Sequence, residues 1–173
     1  MFVDFCKMRK GFSLIEVMVA VLVTLIGVVG IYALVPHIIQ STAFNYDRFV
    51  AIQLARDGIE IIRNVRDSNW LQGDSWNNGL TGCGNGCQLD YTILSSQDPT
   101  PRLVGFRPWS SGGDFLEIDS TTGFYSYSGD IITKFKRRIW FNNADGGRGL
   151  KVKVQVSWPE NVLVLEEVLY NWR

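Results

Sequence analysis

The chain is poor in the side chains on which most enzyme sites depend. Its 173 residues include one histidine and three cysteines. A single histidine leaves no Ser-His-Asp or Cys-His constellation for nucleophilic catalysis. The segments GCGNGC and DGGRG lack the lysine and the strand–loop–helix setting of a phosphate-binding loop. An enzymatic function therefore finds little support in the sequence, and we expect a protein that is not an enzyme.

The same scarcity disfavours a metal centre. A structural zinc site needs about four ligands, and His37 stands beside an apolar run, far along the chain from Cys83 and Cys87. These two cysteines bracket the short sequence GNG, and we expect them to form a disulfide in an oxidising compartment. The third cysteine, Cys6, lies in the basic N-terminal segment. We expect neither a metal nor a cofactor.

Net charge is also missing, since 17 Lys and Arg residues balance 17 Asp and Glu residues. No overall field draws the chain to nucleic acid. One basic stretch, KFKRR, lies beside Trp140 and Phe141 and suits single-stranded nucleic acid or a charged surface. A solvated strand face explains it more simply. The candidate residues for this alternative are Lys134, Lys136, Arg137 and Arg138.

The chain does possess one long apolar run, from Val17 to Val35, without a charged residue. Nineteen helical residues span about 28 Å, close to the roughly 30 Å hydrocarbon core of a bilayer. Lys7, Arg9 and Lys10 precede the run, and the positive-inside rule places them in the cytoplasm and the bulk of the chain on the far side. A cleaved secretory signal is disfavoured, because its apolar core is shorter and ends at a small-residue site. A plain single-pass anchor remains as an alternative.

A plain anchor does not explain Glu16, which stands at the start of the apolar run. A carboxylate inside a membrane costs about 2.5 to 3.5 kcal/mol at the helix centre and less near an end. Such a group usually has a partner, and two are reasonable. One is the positive end of the helix dipole. The other is a cation from a neighbouring chain, for which a new N-terminal amine would serve.

The sequence KGFSLIEVMVA resembles the processing site of type IV prepilins and type II secretion pseudopilins. The resemblance implies that a prepilin peptidase cleaves between Gly11 and Phe12 and methylates the new amine of Phe12. It also implies that Glu16 neutralises the Phe12 amine of an adjacent subunit during filament assembly. Without residues 1–11 the formal charge is −2, which adds no attraction to nucleic acid.

The resemblance extends, more weakly, to AIQLARDGIEIIRNVRDSNW, which is similar to the corresponding helix of minor pilins of the pilus modification type. It implies a structural and assembly subunit, either a minor pilin or a pseudopilin, anchored in the cytoplasmic membrane. The implied partners are the lipid bilayer, other pilins or pseudopilins, the membrane assembly platform and the peptidase. The sequence does not separate a type IV pilus from type II secretion or DNA uptake.

Periodicity predicts an α+β, pilin-like fold with a helix from about residue 13 to residue 68, bent near Pro36. Its second half has apolar residues at helical spacing on one side and paired charges on the other. The predicted apolar stripe consists of Ala51, Leu54, Ala55, Gly58, Ile62 and Val65. The predicted organisation is a leader (1–11), a membrane or filament-core helix (12–36), an amphipathic helix (37–70) and a β-sheet domain outside the cytoplasm (71–173).

Alternating and turn-forming residues predict an antiparallel sheet in the last of these regions. The expected strands cover residues 89–94, a hairpin at 114–129 with its turn at 120–123, then 131–141 and 150–158. The segment 162–172 is ambiguous between a helix and a strand with a bulge near Glu166 and Glu167. We expect a strand, because its ending is similar to the last strand of minor pilins.

Overall fold

The longest element is the helix α1, which runs from Leu14 to Gln72. The structure is a computed structural model that describes residues 11–80, 82–94, 107–110 and 112–171. The predicted long helix is confirmed, and it ends four residues later than expected. It continues through Pro36, and the bend expected there stays a prediction. The chain divides into two compact units between Tyr46 and Asp47, and each is described by itself.

The first unit consists, over its described residues, of the N-terminal part of α1 and three residues before it. The side chains of this part are exposed. Among the described residues, α1 is the one helix long and apolar enough to cross a membrane. The Thr24 hydroxyl, the most polar group of the apolar run, donates to the Ala20 carbonyl at 2.7 Å. The helix therefore satisfies this hydroxyl internally, as a non-polar surrounding requires.

The second unit adds two antiparallel sheets to the C-terminal part of α1. Its strands are β1 (Cys87–Gln88), β2 (Arg107–Pro108), β3 (Glu117–Ile118), β4 (Tyr125–Ser126), β5 (Ile131–Ile132), β6 (Lys136–Ala144), β7 (Gly149–Trp158) and β8 (Asn161–Tyr170). The larger sheet has the order β2-β1-β6-β7-β8, and the smaller one β4-β3-β5. Short 3-10 turns occupy Tyr91–Leu94 and Asp145–Gly147.

The core of the second unit lies between α1 and the larger sheet. All six residues of the predicted apolar stripe are buried, as expected. A Cβ atom placed on Gly58 would lie 3.1 Å from Val154 Cγ1 and 3.3 Å from Ile139 Cδ1. Glycine therefore lets the helix backbone approach β6 and β7 closely, and a larger residue there would push them apart.

The two long C-terminal strands follow the alternation of the sequence. The strand predicted at 150–158 is confirmed as β7, with its apolar residues buried on one face. The last segment is also a strand, β8, but the expected bulge is absent. Glu166 pairs with Lys153 and Glu167 with Val152 in an unbroken register over all ten residues. Each carboxylate has a cation, since Lys151 Nζ lies 2.8 Å from Glu166 and Arg63 Nη2 2.6 Å from Glu167.

The strand predicted at 89–94 is wrong. The extended residues are the preceding ones, Cys87 and Gln88, and the chain then turns into the 3-10 segment Tyr91–Leu94. The carboxylate of Asp90 causes this turn, because it accepts hydrogen bonds from the backbone nitrogen and the hydroxyl of Thr92. An aspartate that bonds two residues ahead favours a turn over a strand.

The single strand predicted at 131–141 is also wrong, because two strands in different sheets share this segment. Ile131 and Ile132 pair with β3, whereas the residues from Lys136 onward pair with β7. Between them Thr133 donates from both its backbone nitrogen and its hydroxyl to the carbonyl of Leu116. These two hydrogen bonds to one carbonyl end β5 and redirect the chain.

The hairpin predicted at 114–129 is confirmed, although its strands are only two residues long. Glu117 pairs with Ser126 and Ile118 with Tyr125. The Asp119 carboxylate accepts hydrogen bonds from the backbone nitrogens of Thr121 and Thr122 and so fixes the turn where the sequence predicts it.

Candidate functional site

The predicted cleavage point lies just before α1. Gly11, Phe12 and Ser13 are not helical, and the first backbone bond of the helix runs from the nitrogen of Val17 to the carbonyl of Ser13 at 3.2 Å. Phe12 is 81% exposed. The Gly11–Phe12 peptide bond is therefore outside the helix and open to a protease, whereas a bond one turn later would be held in the helix.

Glu16 lies in the first turn of α1, with its side chain exposed. Phe12, Glu16, Ala20 and Thr24 line one side of this segment. The carboxylate stands near the positive end of the helix dipole, which favours its charge. Ser13 and Glu16 also have the spacing of a capping box, S-x-x-E, in which serine and glutamate satisfy the free nitrogens of the first turn. The interpretation of Glu16 as an assembly residue does not consider helix capping, which the spacing of Ser13 and Glu16 also predicts.

Comparison with known proteins identifies this segment. Residues 6–32 match the model of the prokaryotic N-terminal methylation motif. This motif is characteristic of type IV prepilin-like proteins, which are structural and not enzymatic. The N-terminal segment of the chain therefore carries a motif that is characteristic of type IV prepilin-like proteins. Its long helix followed by antiparallel sheets is an α+β architecture consistent with the pilin-like fold.

Beyond this segment the comparisons give no relative. No curated protein and no solved structure matches the chain significantly. The second unit has to be interpreted from its own contacts.

The four basic residues considered for nucleic-acid or surface binding do not form one surface. Arg137 is fully buried and points toward α1. Lys134 Nζ lies 2.7 Å from the Asp47 carboxylate, and Lys136 Nζ donates to the Gly112 carbonyl at 3.1 Å. Strand alternation separates Arg137 from Lys136 and Arg138, since neighbouring residues of β6 face opposite sides of the sheet.

Arg138 lies on the outer face of β6, between two indole rings. Its guanidinium carbon is 5.0 Å from the ring centre of Trp109 and 4.5 Å from that of Trp140. Lys153 Nζ is also 5.6 Å from Trp140. These indoles already interact with cations of the same chain, which leaves less of their surface for stacking on bases.

The Cys83–Cys87 disulfide is present in the structure, with the two Cα atoms 5.5 Å apart. It closes a five-residue loop at the start of β1. Gly86 in this loop has φ +87°, and a Cβ atom there would lie 2.4 Å from Arg138 Nε. The loop therefore fits under Arg138 only with glycine at this position. Among the described residues no group of three or more His, Cys, Asp or Glu side chains is placed to hold a metal ion.

Arg137 ties three parts of the second unit together. Its Nη1 donates to the Leu54 carbonyl at 3.0 Å and to the Asp57 carboxylate, both on α1. Its Nη2 donates to the carbonyl of Leu89, in the loop after β1, at 2.6 Å. The sequence does not reveal this role, because KFKRR reads as a uniform basic stretch. Arg137 differs from its neighbours because its position in β6 directs its side chain to the buried face of the sheet.

Tyr127 contacts Arg137, and its raised pKa makes the stability of the second unit depend on pH in the alkaline range. Its hydroxyl donates to the Arg137 carbonyl at 3.0 Å, and burial raises the pKa of Tyr127 above its ordinary 10.0 despite the nearby guanidinium. Since the unfolded chain releases this proton at a lower pH than the folded chain, the contribution of Tyr127 to the free energy of unfolding is complete below about pH 10. It falls as the pH rises further.

We expect Tyr127→Phe to show a weaker loss of unfolding free energy between pH 9 and 11 in urea titrations. An unchanged pH dependence would contradict this.

Proposed function

We propose that this chain is a minor pilin or pseudopilin, a structural and assembly subunit of a type IV pilus or related filament. The observation that carries the proposal is the methylation motif at residues 6–32. The motif begins before α1 and continues into its first part, and α1 is long and apolar enough to span a membrane. A separate folded α+β unit follows in the same chain. An anchor without a filament role needs none of the motif's specific residues.

In this proposal a prepilin peptidase cleaves between Gly11 and Phe12 and methylates the amine of Phe12. The chain is held in the cytoplasmic membrane by α1, with the second unit outside the cytoplasm. The assembly platform then transfers it into a filament of other pilins or pseudopilins. Support for this topology comes from Lys7, Arg9 and Lys10 before the apolar run and the positive-inside rule. The disulfide agrees with an oxidising location for the second unit.

Glu16 is assigned an assembly role in the same proposal. Its carboxylate pairs with the Phe12 amine of a neighbouring subunit, so that both charges enter the apolar filament interior together. Either charge alone would be penalised there. The exposed position of both residues at the helix start supports this pairing.

N-terminal mass analysis of the chain extracted from membranes tests the proposal. In cells with an active prepilin peptidase we expect the mature chain to begin at N-methylated Phe12. Gly11→Val should leave the precursor uncut, because a valine side chain just before the scissile bond would obstruct binding of this segment to the peptidase. Gly27→Ala, a glycine substitution within the helix, should be processed normally. A wild-type chain that still begins at Met1 would refute the proposal.

A further inference from the structure

The second unit contains a cavity of about 480 Å³ beside α1. One wall is formed by Phe49 and Leu54 of α1. The other is formed by Tyr91 and by Phe124 of the hairpin between β3 and β4. All lining residues belong to the second unit. Its lining is mostly aromatic and aliphatic, which is typical of a site that holds an apolar group.

The mouth of this cavity exposes apolar surface that the unit itself does not cover. Phe49 is 60% exposed and Phe124 is 59% exposed, whereas Leu54 at the base is 3% exposed. Single exposed apolar residues are common on proteins, but two phenylalanines that flank one apolar cavity form a patch. Such patches mark binding sites for ligands or partner proteins.

The hairpin between β3 and β4, which contributes Phe124 to the cavity, is held in place by contacts within the second unit. The carboxylate of Asp130 accepts hydrogen bonds from both the backbone nitrogen and the hydroxyl of Ser120. Asp119 holds the two residues that follow. The ring of Phe124 meets the ring of Tyr91 edge-on at 5.5 Å. A site that is already ordered loses little conformational entropy on binding.

The polar end of the cavity carries no net charge. Asp57 lines it, and one carboxylate oxygen accepts a hydrogen bond from the buried guanidinium of Arg137. The Asp57 side chain is nevertheless 49% exposed, and the exposed amide of Gln53 lies beside it. The Asp57–Arg137 pair has no net charge and therefore disfavours a free cation or anion. It suits a neutral occupant that places one hydrogen-bond donor beside its apolar part.

We propose that this cavity receives an apolar side chain from a neighbouring pilin-like subunit. This inference rests on the proposed function, which supplies the neighbour. Phe49 and Leu54 belong to α1, the helix whose first part carries the methylation motif. Because this motif implies assembly with other pilins, we take a chain of this class as the neighbour that contacts the second unit. An apolar anchor in a preformed aromatic pocket is the usual centre of a protein–protein contact.

Site-specific photo-cross-linking of the full chain in its own cells tests this contact. Benzoylphenylalanine replaces Phe124 in one variant and Val162 in a matched control, since both residues are 59% exposed. We expect the Phe124 position to give about tenfold more adduct, with a protein that itself has a methylation-motif N-terminus. The cross-linked peptide, identified by mass spectrometry, should contain the apolar residue that enters the cavity.

A second substitution shows whether the cavity itself is needed. Gln53→Trp places a large ring in the cavity from an exposed helix position, and we expect it to reduce the Phe124 adduct about fivefold or more. Arg56→Trp adds the same ring at an exposed position of α1 outside the cavity and should leave the adduct unchanged.

Equal yields at Phe124 and Val162 would overturn the inference. So would insensitivity to Gln53→Trp, or adducts formed only with lipid, a small molecule or proteins that lack the motif. The N-terminal mass of the same samples separates the two proposals. A chain that begins at Met1 refutes the proposed function, whereas a chain processed to Phe12 without the adduct refutes only the contact.

Discussion

Arg137→Ala should lower the free energy of unfolding of the second unit by about 2 to 4 kcal/mol, because it removes a fully buried side chain together with the hydrogen bonds that this side chain donates. The guanidinium has no solvent exposure, and its donors reach carbonyls on α1 and on the loop after β1 as well as Asp57. Alanine would leave the Leu89 carbonyl without this donor and create a cavity between helix and sheet.

Urea denaturation of the full chain in detergent micelles, followed by tryptophan fluorescence, measures this loss. All six tryptophans lie after residue 69, so the signal reports on the second unit alone. Arg56 is an exposed arginine of α1, and Arg56→Ala should change the free energy of unfolding by about 0.5 kcal/mol or less. Arg137→Met should cost less than alanine, because methionine fills the space and the half-exposed Asp57 can be hydrated. Equal effects at Arg137 and Arg56 would contradict the role assigned to the buried arginine.

Glu16→Ala should leave leader cleavage intact and lower the amount of the chain in purified filaments by about tenfold or more. The Phe12 ammonium of a neighbour would enter the apolar interior without its partner, and an unpaired charge costs about 2.5 to 3.5 kcal/mol at the centre of a membrane helix and less near an end. Each 1.4 kcal/mol corresponds to about a tenfold change in an equilibrium. Comparison of the filament fraction with the membrane fraction by immunoblot gives the ratio.

Two further variants distinguish charge pairing from helix capping. Glu16→Gln keeps a residue type that the capping-box pattern accepts at this position but has no charge, so it should assemble almost as poorly as Glu16→Ala. Ser13→Ala removes the serine of the pattern and leaves the charge, so it should assemble nearly normally. If Ser13→Ala and Glu16→Ala fail to the same degree, capping of α1 is the main role of Glu16. An uncleaved Glu16→Ala precursor would also contradict the assembly role.

The elements that the sequence predicts correctly are those in which local pattern and burial agree. The stripe of α1 and the alternation of β7 are long, regular and buried on one face only, so their periodicity has a single interpretation. The segment 131–141 has an equally regular pattern, but its division depends on where Leu116 can accept hydrogen bonds. A contact between residues 17 positions apart leaves no trace in the alternation itself.

The two proposed functional regions differ in the same way. The processing segment is a local signal, because the proposed cleavage and methylation and the observed helix start involve neighbouring residues from Gly11 to Glu16. The cavity is assembled from α1, the 3-10 turn at Tyr91 and the hairpin tip at Phe124. Its residues are apolar in a chain with many apolar residues, so composition does not distinguish them. Arg137 is a third case, in which a one-residue shift in strand phase separates a core side chain from a surface one.

The pairing of Arg137 with Asp57 joins residues 80 positions apart, and this separation has a consequence for biogenesis. The helix face that forms one side of the core is synthesised before β6, β7 and β8, which cover it. In the topology proposed above, the second unit is translocated out of the cytoplasm, and this face has no native cover until these three strands have followed. We therefore propose that the second unit folds only after β6, β7 and β8 have been translocated, an interval in which chaperones or proteases outside the membrane can act on the subunit.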